Sequence, residues 1–501
     1  MKQEKQKEEV VVEVKQEQQK EGAITMKKEN KTEQEKVQVK EDEKQEQKQK
    51  NDKGKTGKKV SSLLPNYIES LNFPELVDVT LDLDGKVIYL VKKQKKLSIA
   101  RQWITKNGIL IPPPKNCLPY ELVDVRDVLY HYHSKMHDDL FDRVSNYFHK
   151  ASYLEDEKHL IVSLYVFLTY LQNHKDINHL PEIMFFAVPE RGKSRTVKAM
   201  TYISFRGIHL VSVLPASIFR FSQNHQATLF FDVMDFWTKV IKNQAEDIFL
   251  GRFEKGSKVS RVIYLDRGAF RDTVIYKVFG PTGIATNQAI GHILGTRCIE
   301  IQTPYMLGKY TNYKAKDDVV LDLKAQLTAW KAKVMDQPLP LVEEIEGIDG
   351  RLWDISKPLL SICKLVCPEK YDILIGALLK QAKGRAEDKK ESVEGTIIKI
   401  IYNLSNDSVG NWIMTSAILA RLNDDLPEIR KYTSQWLGRK LKSLGVETDR
   451  LPGRSRMAID QPILEKLYDQ YGCKISNDVD TDDRENSENS DNTEKLIRLV
   501  Q

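Results

Sequence analysis

The segment from Ala187 to Ser194 constrains the fold of this chain more than any other feature of its sequence. It matches the pattern of a phosphate-binding loop (P-loop) and ends in Gly192 and Lys193 before the serine, but alanine stands where the pattern has its first glycine. Such a loop must follow a buried strand and open a helix, because backbone N–H groups and the positive end of the helix dipole surround the phosphates. Apolar residues before it and helical spacing after it fit that requirement.

The residues of this loop have distinct expected roles. Gly192 lets the backbone approach a phosphate closely, Lys193 reaches the outer phosphates, and Ser194 is a magnesium ligand. ATP and Mg²⁺ are therefore the expected cofactors. The predicted nucleotide-binding residues are Pro189, Glu190, Arg191, Gly192, Lys193, Ser194 and Arg195.

A second short, mostly apolar run, residues 228–231, is followed directly by an acid. It predicts a buried strand whose following residue, Asp232, emerges at the carboxyl edge and holds magnesium opposite the P-loop. A glutamate that polarises the attacking water usually follows such an aspartate, but here the next residue is Val233. Asp235 then either orients the water or caps a helix, and both interpretations stay open.

Largely apolar runs of four to six residues alternate with short helical stretches between residues 181 and 310. Mostly apolar strands separated by helices are typical of a buried, mainly parallel sheet, so the predicted fold class is an α/β P-loop NTPase core. The predicted strands are 183–188, 208–213, 228–231, 262–265 and 274–279.

Polar residues after the last of these runs are further candidates for the site. Asn287 or Thr286 is expected to sense the outermost (γ) phosphate from the end of a neighbouring strand. Arg297 follows after a short interval. It either reaches the nucleotide of a neighbouring subunit and stabilises transition-state charge, or is an ordinary surface arginine.

The order of these features resembles that of superfamily-three-like AAA+ helicases of phages and plasmids, and of the helicase domains fused to or encoded beside primases. The resemblance covers about residues 115–470 and departs from the pattern at Ala187 and Val233. The segments that carry it are the P-loop, Ala216 to Arg220, Asp232, Asn287, Arg297, Arg351 to Asp354, and Lys357 to Leu360.

The resemblance implies an ATP-dependent DNA helicase or translocase that acts in the replication of a mobile genetic element. It also implies a ring of identical subunits, with a hexamer favoured, and DNA and a primase as candidate partners. The alternative is an ATP-binding DNA initiator or helicase loader with little hydrolysis, which Val233 motivates because it replaces the expected glutamate.

Basic residues mark two candidate DNA-binding regions of the chain. Lys255 and Lys258 flank a Gly-Ser pair, where they either bind phosphates from an exposed hairpin or face solvent in an ordinary turn. Three predicted helices between 393 and 445, followed by a basic turn at 450–457, describe a winged helix, a fold that binds DNA or protein. Its candidate DNA contacts are Arg439, Lys440, Arg454 and Arg456.

Composition sets the remaining boundaries. Residues 1–59 are almost entirely Lys, Glu, Gln, Asp and Asn, and the segment 474–501 is rich in Asp, Glu, Asn and Ser, so both are predicted to be disordered tails. The predicted domains between them are a small β-containing module at 60–115, a helical domain at 116–180, the P-loop core at 181–340, a helical lid or connector at 341–388 and the winged helix at 389–473.

The sequence favours a cytoplasmic protein without a membrane partner. The N-terminus has no apolar stretch behind its basic residues, and the longest apolar run, 160–171, is too short to span a bilayer. The five cysteines are scattered, as expected of reduced thiols. The net charge of +6 permits a nucleic-acid partner without requiring one.

Overall fold

A computed structural model describes residues 67–134, 139–264, 266, 268, 270–305, 308–406, 411–424, 426–452 and 454–472. The tails predicted at 1–59 and 474–501 lie outside these residues. The chain divides into two compact units, the first ending at Leu379 and the second beginning at Lys380. The domain boundary predicted between 388 and 389 lies in the same helix as this division.

Two small sheets open the first unit. Their strands are β1 (Tyr67–Glu69), β2 (Leu76–Leu81), β3 (Val87–Lys93), β4 (Lys96–Ala100), β5 (Trp103–Thr105) and β6 (Gly108–Ile111). The first sheet has the order β2-β3-β4 and is antiparallel, and the second has the order β1-β6-β5. The β2–β3 hairpin turns at Asp84 and Gly85, and Gly85 has the positive φ of 74° that such a turn requires.

Three helices connect these sheets to the core: α1 (Val125–His133), α2 (Leu140–Ala151) and α3 (Asp156–Tyr170). Every residue of α3 from His159 to Tyr170 is buried, so this helix has no solvent face. Its Tyr165 hydroxyl accepts a 2.8 Å hydrogen bond from the Thr282 N–H and donates one of 2.8 Å to the Thr282 carbonyl. The helix thereby fixes the beginning of a core strand.

A five-stranded parallel sheet forms the centre of the first unit. Its strands are β7 (Glu182–Phe186), β8 (Gly207–Leu210), β9 (Thr228–Asp232), β12 (Thr282–Thr286) and β13 (Cys298–Gln302). Their order is β13-β7-β12-β9-β8, and all neighbouring strands are parallel. The carboxyl ends therefore meet at one edge, where open α/β sheets bind ligands. The parallel sheet and its helices fit an α/β P-loop-like core.

Helices flank this sheet and follow it in the chain. They are α4 (Lys193–Ile203), α5 (Pro215–Arg220), α6 (Phe236–Lys242), α7 (Glu246–Arg252), α8 (His292–Gly295), α9 (Asp318–Val334), α10 (Gly350–Val366) and α11 (Tyr371–Glu391). A π-helical turn at Phe221–His225 continues α5. Within the described residues, no helix combines the length and apolar character needed to cross a membrane.

Two of the predicted sheet strands were wrong. The runs at 262–265 and 274–279 do not enter the parallel sheet: β10 (Lys258–Val262) and β11 (Thr273–Lys277) pair with each other as an antiparallel hairpin. Every second side chain of β10 is exposed, namely Lys258, Ser260 and Val262, which is incompatible with a strand buried on both faces. The fourth and fifth core strands are β12 and β13 instead.

The second unit has its own apolar core. It contains helices α12 (Val393–Asn406), α13 (Thr415–Asn423), α14 (Ser434–Ser443) and α15 (Gln461–Tyr471), and strands β14 (Trp412–Met414), β15 (Thr448–Leu451) and β16 (Arg454–Ala458). The three strands form an antiparallel sheet with β16 in the middle. Thr433 caps α14 by accepting a hydrogen bond from the Trp436 N–H, as threonine commonly does at a helix N-terminus.

Candidate phosphate-binding site

The loop between β7 and α4 has the backbone of a phosphate-binding turn. Gly192 caps α4 in the left-handed region with φ of 82°, and Glu190 adopts a positive φ of 65°. A side chain at the Gly192 position would strain this turn. The Lys193 amine donates hydrogen bonds to two carbonyls of the loop, those of Ala187 and Val188 (2.9 Å to the latter). The positive charge of Lys193 is therefore held inside the loop.

Ser194 and Asp232 meet across the sheet edge. The Ser194 hydroxyl donates a 3.0 Å hydrogen bond to Asp232 Oδ1, although the two residues come from different strand ends. A hydroxyl and a carboxylate are oxygen ligands of the kind that Mg²⁺ prefers. The donor set therefore fits the predicted magnesium.

His209, at the end of β8, is a neighbour of this pair that the sequence did not indicate. Its Nε2 lies 3.5 Å from Asp232 Oδ2, an electrostatic contact that is longer than a well-formed hydrogen bond. The His209 ring is the main cause that holds the pKa of Asp232 below its usual value; burial acts in the opposite direction, and the Ser194 hydroxyl reinforces the lowering. Asp232 is thus kept ionised.

A cavity of about 630 Å³ opens above these residues. It extends from the P-loop to the ends of β9 and β12. The residues that line it are Pro189, Glu190, Arg191, Gly192, Lys193, Ser194, Arg195, Asp232, Met234, Ala285, Thr286, Asn287 and Gly308. All seven predicted nucleotide-binding residues are therefore in one cavity with Asp232 and both candidate γ-phosphate sensors.

Thr286 and Asn287 differ in their hydrogen bonding. The Thr286 hydroxyl donates to the Met234 carbonyl at 3.3 Å, so it is engaged within the fold. Asn287 Oδ1 is buried and has no hydrogen-bond partner in the described part of the chain. A buried polar atom without a partner costs free energy, so the geometry favours Asn287 over Thr286 as the group that meets a ligand.

Asp235 does not line the cavity. It occupies the N-cap position of α6, but its side chain makes no capping hydrogen bond. The acids on the cavity wall, among the described residues, are Glu190 and Asp232. The structure therefore does not bring Asp235 to the phosphates in this conformation.

Arg297 is buried within its own subunit instead of projecting from it. Only 9% of its surface is exposed. Its guanidinium donates a 2.7 Å hydrogen bond to the Ile293 carbonyl and lies 4.7 Å from the centroid of the Phe253 ring. Neither the neighbour-directed arginine nor the surface arginine of the sequence prediction describes this position, because the residue is enclosed between α8 and the end of α7.

The predicted hairpin between Asp232 and Asn287 exists, but its tip lies elsewhere. Lys255 precedes β10, and its amine donates to the His174 carbonyl at 2.6 Å. Lys258 is the first residue of β10 and pairs with Lys277 at the base of the hairpin. The exposed tip includes the described residues 263, 264, 266, 268 and 270–272, of which Phe270 is 99% exposed. Lys255 and Lys258 are therefore at or before the base of the hairpin.

In the second unit, two of the four candidate DNA contacts are engaged within the fold. Lys440 pairs with the Glu394 carboxylate. Arg456 pairs with Asp449 at 2.9 Å and stacks over the Trp412 ring at 3.9 Å. Arg439 on α14 and Arg454 on β16 are exposed. Of the four candidates, these two are the ones whose side chains are exposed to solvent.

Comparisons with known proteins give no family for this chain. No protein-family model and no curated protein matches it. Two solved structures show a weak likeness. The C-terminal region of NrS-1 in an apo form has a TM-score of 0.31 and 11% identity, covering 76% of this chain and 96% of that one. Cdc6p from Pyrobaculum aerophilum has a TM-score of 0.19 and 12% identity, covering 67% and 98%. At these scores the likeness adds nothing to the geometry.

Proposed function

We propose that this chain is an ATP-dependent DNA helicase or translocase that acts in the replication of a mobile genetic element as a ring oligomer, with a hexamer favoured. The observation that carries the proposal is the 3.0 Å hydrogen bond between Ser194 and Asp232 beside Lys193. A lysine, a hydroxyl and a carboxylate at the carboxyl edge of a parallel sheet are the groups that bind a magnesium nucleotide.

Four residues of the chain have separate roles in the proposed reaction. Ser194 and Asp232 would hold magnesium, which neutralises phosphate charge when it is bound. The Lys193 amine is hydrogen-bonded to loop carbonyls, and in the proposed reaction it would bind the outer phosphate oxygens instead. Asn287 offers its unpaired side-chain oxygen to the attacking water or its amide to the γ-phosphate. Water orientation and charge stabilisation are the catalytic contributions available here.

Two exposed basic elements support DNA as the partner. The β10–β11 hairpin carries Phe270 and Arg271 at its tip, an aromatic ring and a cation suited to a single strand. In the second unit three helices, α12 to α14, precede the basic β15–β16 hairpin, which supports the proposed winged helix, with Arg439 and Arg454 as DNA contacts. A primase partner follows from the sequence resemblance alone.

A second candidate function is an ATP-binding initiator or helicase loader with little hydrolysis. The specific observation in its favour is that Val233 follows Asp232 and that Asp235 stays outside the cavity wall. With neither a glutamate after Asp232 nor Asp235 to polarise the water, bound ATP would be hydrolysed slowly. Assembly on DNA would then be the purpose of nucleotide binding.

One experiment separates the two candidates. Steady-state ATP turnover is measured with and without single-stranded DNA, together with strand separation on a forked duplex. A helicase or translocase shows turnover that DNA stimulates several-fold, and a helicase also separates the fork. ATP binding without DNA-stimulated turnover would replace the leading proposal with the loader.

A further inference from the structure

The cavity has two chemically different ends. At one end Asp232 and Asn287 lie at the tips of β9 and β12. At the other end lies the chain that leaves β13, the neighbour of β7 on the opposite side. This chain passes close to the P-loop, since the Thr303 N–H donates a 3.2 Å hydrogen bond to the Phe186 carbonyl at the end of β7. Gly308 then reaches the cavity wall.

Residues of the P-loop contact this chain directly. The guanidinium of Arg191 lies 5.2 Å from the centroid of the Tyr305 ring, and Arg195 Nη1 donates a 3.4 Å hydrogen bond to the Tyr310 carbonyl. A triphosphate whose outermost phosphate points toward Asp232 and Asn287 would place its sugar and base at this opposite end of the cavity, beside Arg191 on the cavity wall. The Tyr305 ring is 57% exposed there.

We propose that the Arg191–Tyr305 pair is the surface on which the nucleobase of the bound nucleoside triphosphate stacks. This inference rests on the proposed nucleotide-binding function and adds the base-side contact to it. A tyrosine ring and a guanidinium plane both present flat faces, and bases stack on such faces without requiring a particular hydrogen-bond pattern. Stacking here distinguishes a nucleotide from a bare phosphate chain.

The Tyr305 segment is anchored on its far side independently of any ligand. The Thr311 N–H donates a 2.7 Å hydrogen bond to the Lys150 carbonyl at the end of α2. Tyr313 stacks on Tyr147 with ring centroids 4.4 Å apart. The Tyr147 hydroxyl in turn donates to the Ala199 carbonyl of α4 at 3.1 Å. The chain at Thr311 and Tyr313, which follows the stacking surface, is thus fixed to the helix that begins at Lys193.

Calorimetric titration of the full chain with two probes, Mg-ATP and magnesium inorganic triphosphate, tests the inference. Tyr305→Ala removes the ring, and Tyr305→Phe keeps a ring that can stack. Tyr67→Ala is the matched control, because Tyr67 is similarly exposed (56%) but belongs to β1 of the separate β1-β6-β5 sheet. Tyr305→Ala should weaken ATP binding about tenfold and leave inorganic triphosphate binding within twofold. Tyr305→Phe and Tyr67→Ala should bind both probes like the wild type.

Three results would overturn the inference alone while the wild type still binds ATP. Tyr305→Ala could retain wild-type ATP affinity, it could lose both probes equally, or Tyr305→Phe could lose as much as the alanine variant. A wild-type protein that binds neither probe would instead refute the proposed nucleotide-binding function, and this inference with it.

Discussion

The two oxygens of the Asp232 carboxylate have different neighbours. Oδ1 accepts a hydrogen bond from the Ser194 hydroxyl, and Oδ2 lies near the His209 ring. Both contacts favour the ionised form, and the pKa of Asp232 stays below its usual value even though the residue is half-buried. Asp232 therefore already carries the negative charge that the proposed magnesium ligand needs. His209 acts on the chemistry through Asp232, as a positioning residue.

Glu182, at the start of β7, is a carboxyl whose pKa is raised, in contrast to that of Asp232. It is 1% exposed, and its carboxylate makes no hydrogen bond within the described residues. Burial raises its pKa to about 8, and the charges of Arg252 and Arg297 counteract this only in part. In the unfolded chain this carboxyl ionises at a lower pH than it does in the folded protein. The free energy of unfolding therefore decreases as the pH rises from the unfolded-state pKa toward 8.

Glu182→Gln should remove this pH dependence, because the amide is similar in shape and does not ionise. Chemical denaturation of both proteins at pH 5 and pH 8 measures the difference in unfolding free energy, in which the contributions of other titrating groups cancel. The variant should lie within about 1 kcal/mol of the wild type at pH 5 and exceed it by about 4 kcal/mol at pH 8. A variant that is less stable at pH 8 would show that Glu182 is ionised and paired with arginine.

The residues of the phosphate site were largely predictable from sequence because they are consecutive. The P-loop fixes Gly192, Lys193 and Ser194 through local backbone geometry, and Asp232 follows from a strand end. Arg297 was not predictable, since its burial depends on packing against Phe253, which lies on a different element. His209 and Tyr305 gave no local signal, because a strand-end histidine and a lone tyrosine are common in any chain.

At the scale of elements, the β10–β11 hairpin is joined to the sheet by a fully buried arginine. Arg252 donates hydrogen bonds to the Val278 carbonyl just after β11 (3.1 Å), and to Thr282 Oγ1 at the start of β12 (2.6 Å). The base of the hairpin is thus tied to the strand that ends at Thr286, next to Asn287. The tip carries Phe270 with a positive φ of 71°, an unfavourable backbone state for an aromatic residue.

Arg271→Ala at this tip should weaken single-stranded DNA binding several-fold and leave ATP turnover without DNA unchanged. Loss of one phosphate contact should reduce the slope of log affinity against log salt by about 0.7. Fluorescence anisotropy over a salt series measures both quantities. Lys106→Ala, which removes an exposed cation from the β5–β6 turn, is the control, and identical behaviour of the two variants would contradict a DNA-binding tip.

The sheet shows where sequence reasoning fails at this scale. The strand β12 has the sequence Thr-Gly-Ile-Ala-Thr and lacks the long apolar run expected of a central strand. It is central because Gly283 allows the Phe230 ring of β9 to approach: a Cβ on Gly283 would lie 2.3 Å from that ring. Small residues that admit a neighbour's ring give a weak apolar signal. The more apolar runs of the hairpin therefore resemble core strands more closely than β12 does.

At the scale of the molecule, the first unit holds the cavity and the hairpin, and the second holds Arg439 and Arg454 on its surface. In the proposed ring, each subunit contacts the next through unlike surfaces, as closed cyclic assemblies require. Because Arg297 is enclosed, a cation that reaches the neighbour's nucleotide must come from another residue or from a rearrangement on assembly. The surfaces of the proposed subunit interface could not be predicted from the sequence for the same reason as the burial of Arg297, because they depend on packing.

Mixing active and inactive subunits tests the ring proposal wherever the subunit interface lies. Wild-type protein is combined with increasing fractions of Asp232→Asn, which should keep the fold and lose the magnesium ligand. In a ring whose subunits act together, DNA-stimulated turnover should fall more steeply than the wild-type fraction. A strictly proportional fall would indicate independent subunits and contradict the ring.

The central claim is that the cavity at Lys193 hydrolyses magnesium ATP, and turnover by wild type and Lys193→Ala tests it most directly. Alanine suits the first position of α4, so the variant should fold. Removing the cation that stabilises the outer phosphates should lower turnover at least about a hundredfold, with and without DNA. Turnover that is unchanged in Lys193→Ala would contradict the account.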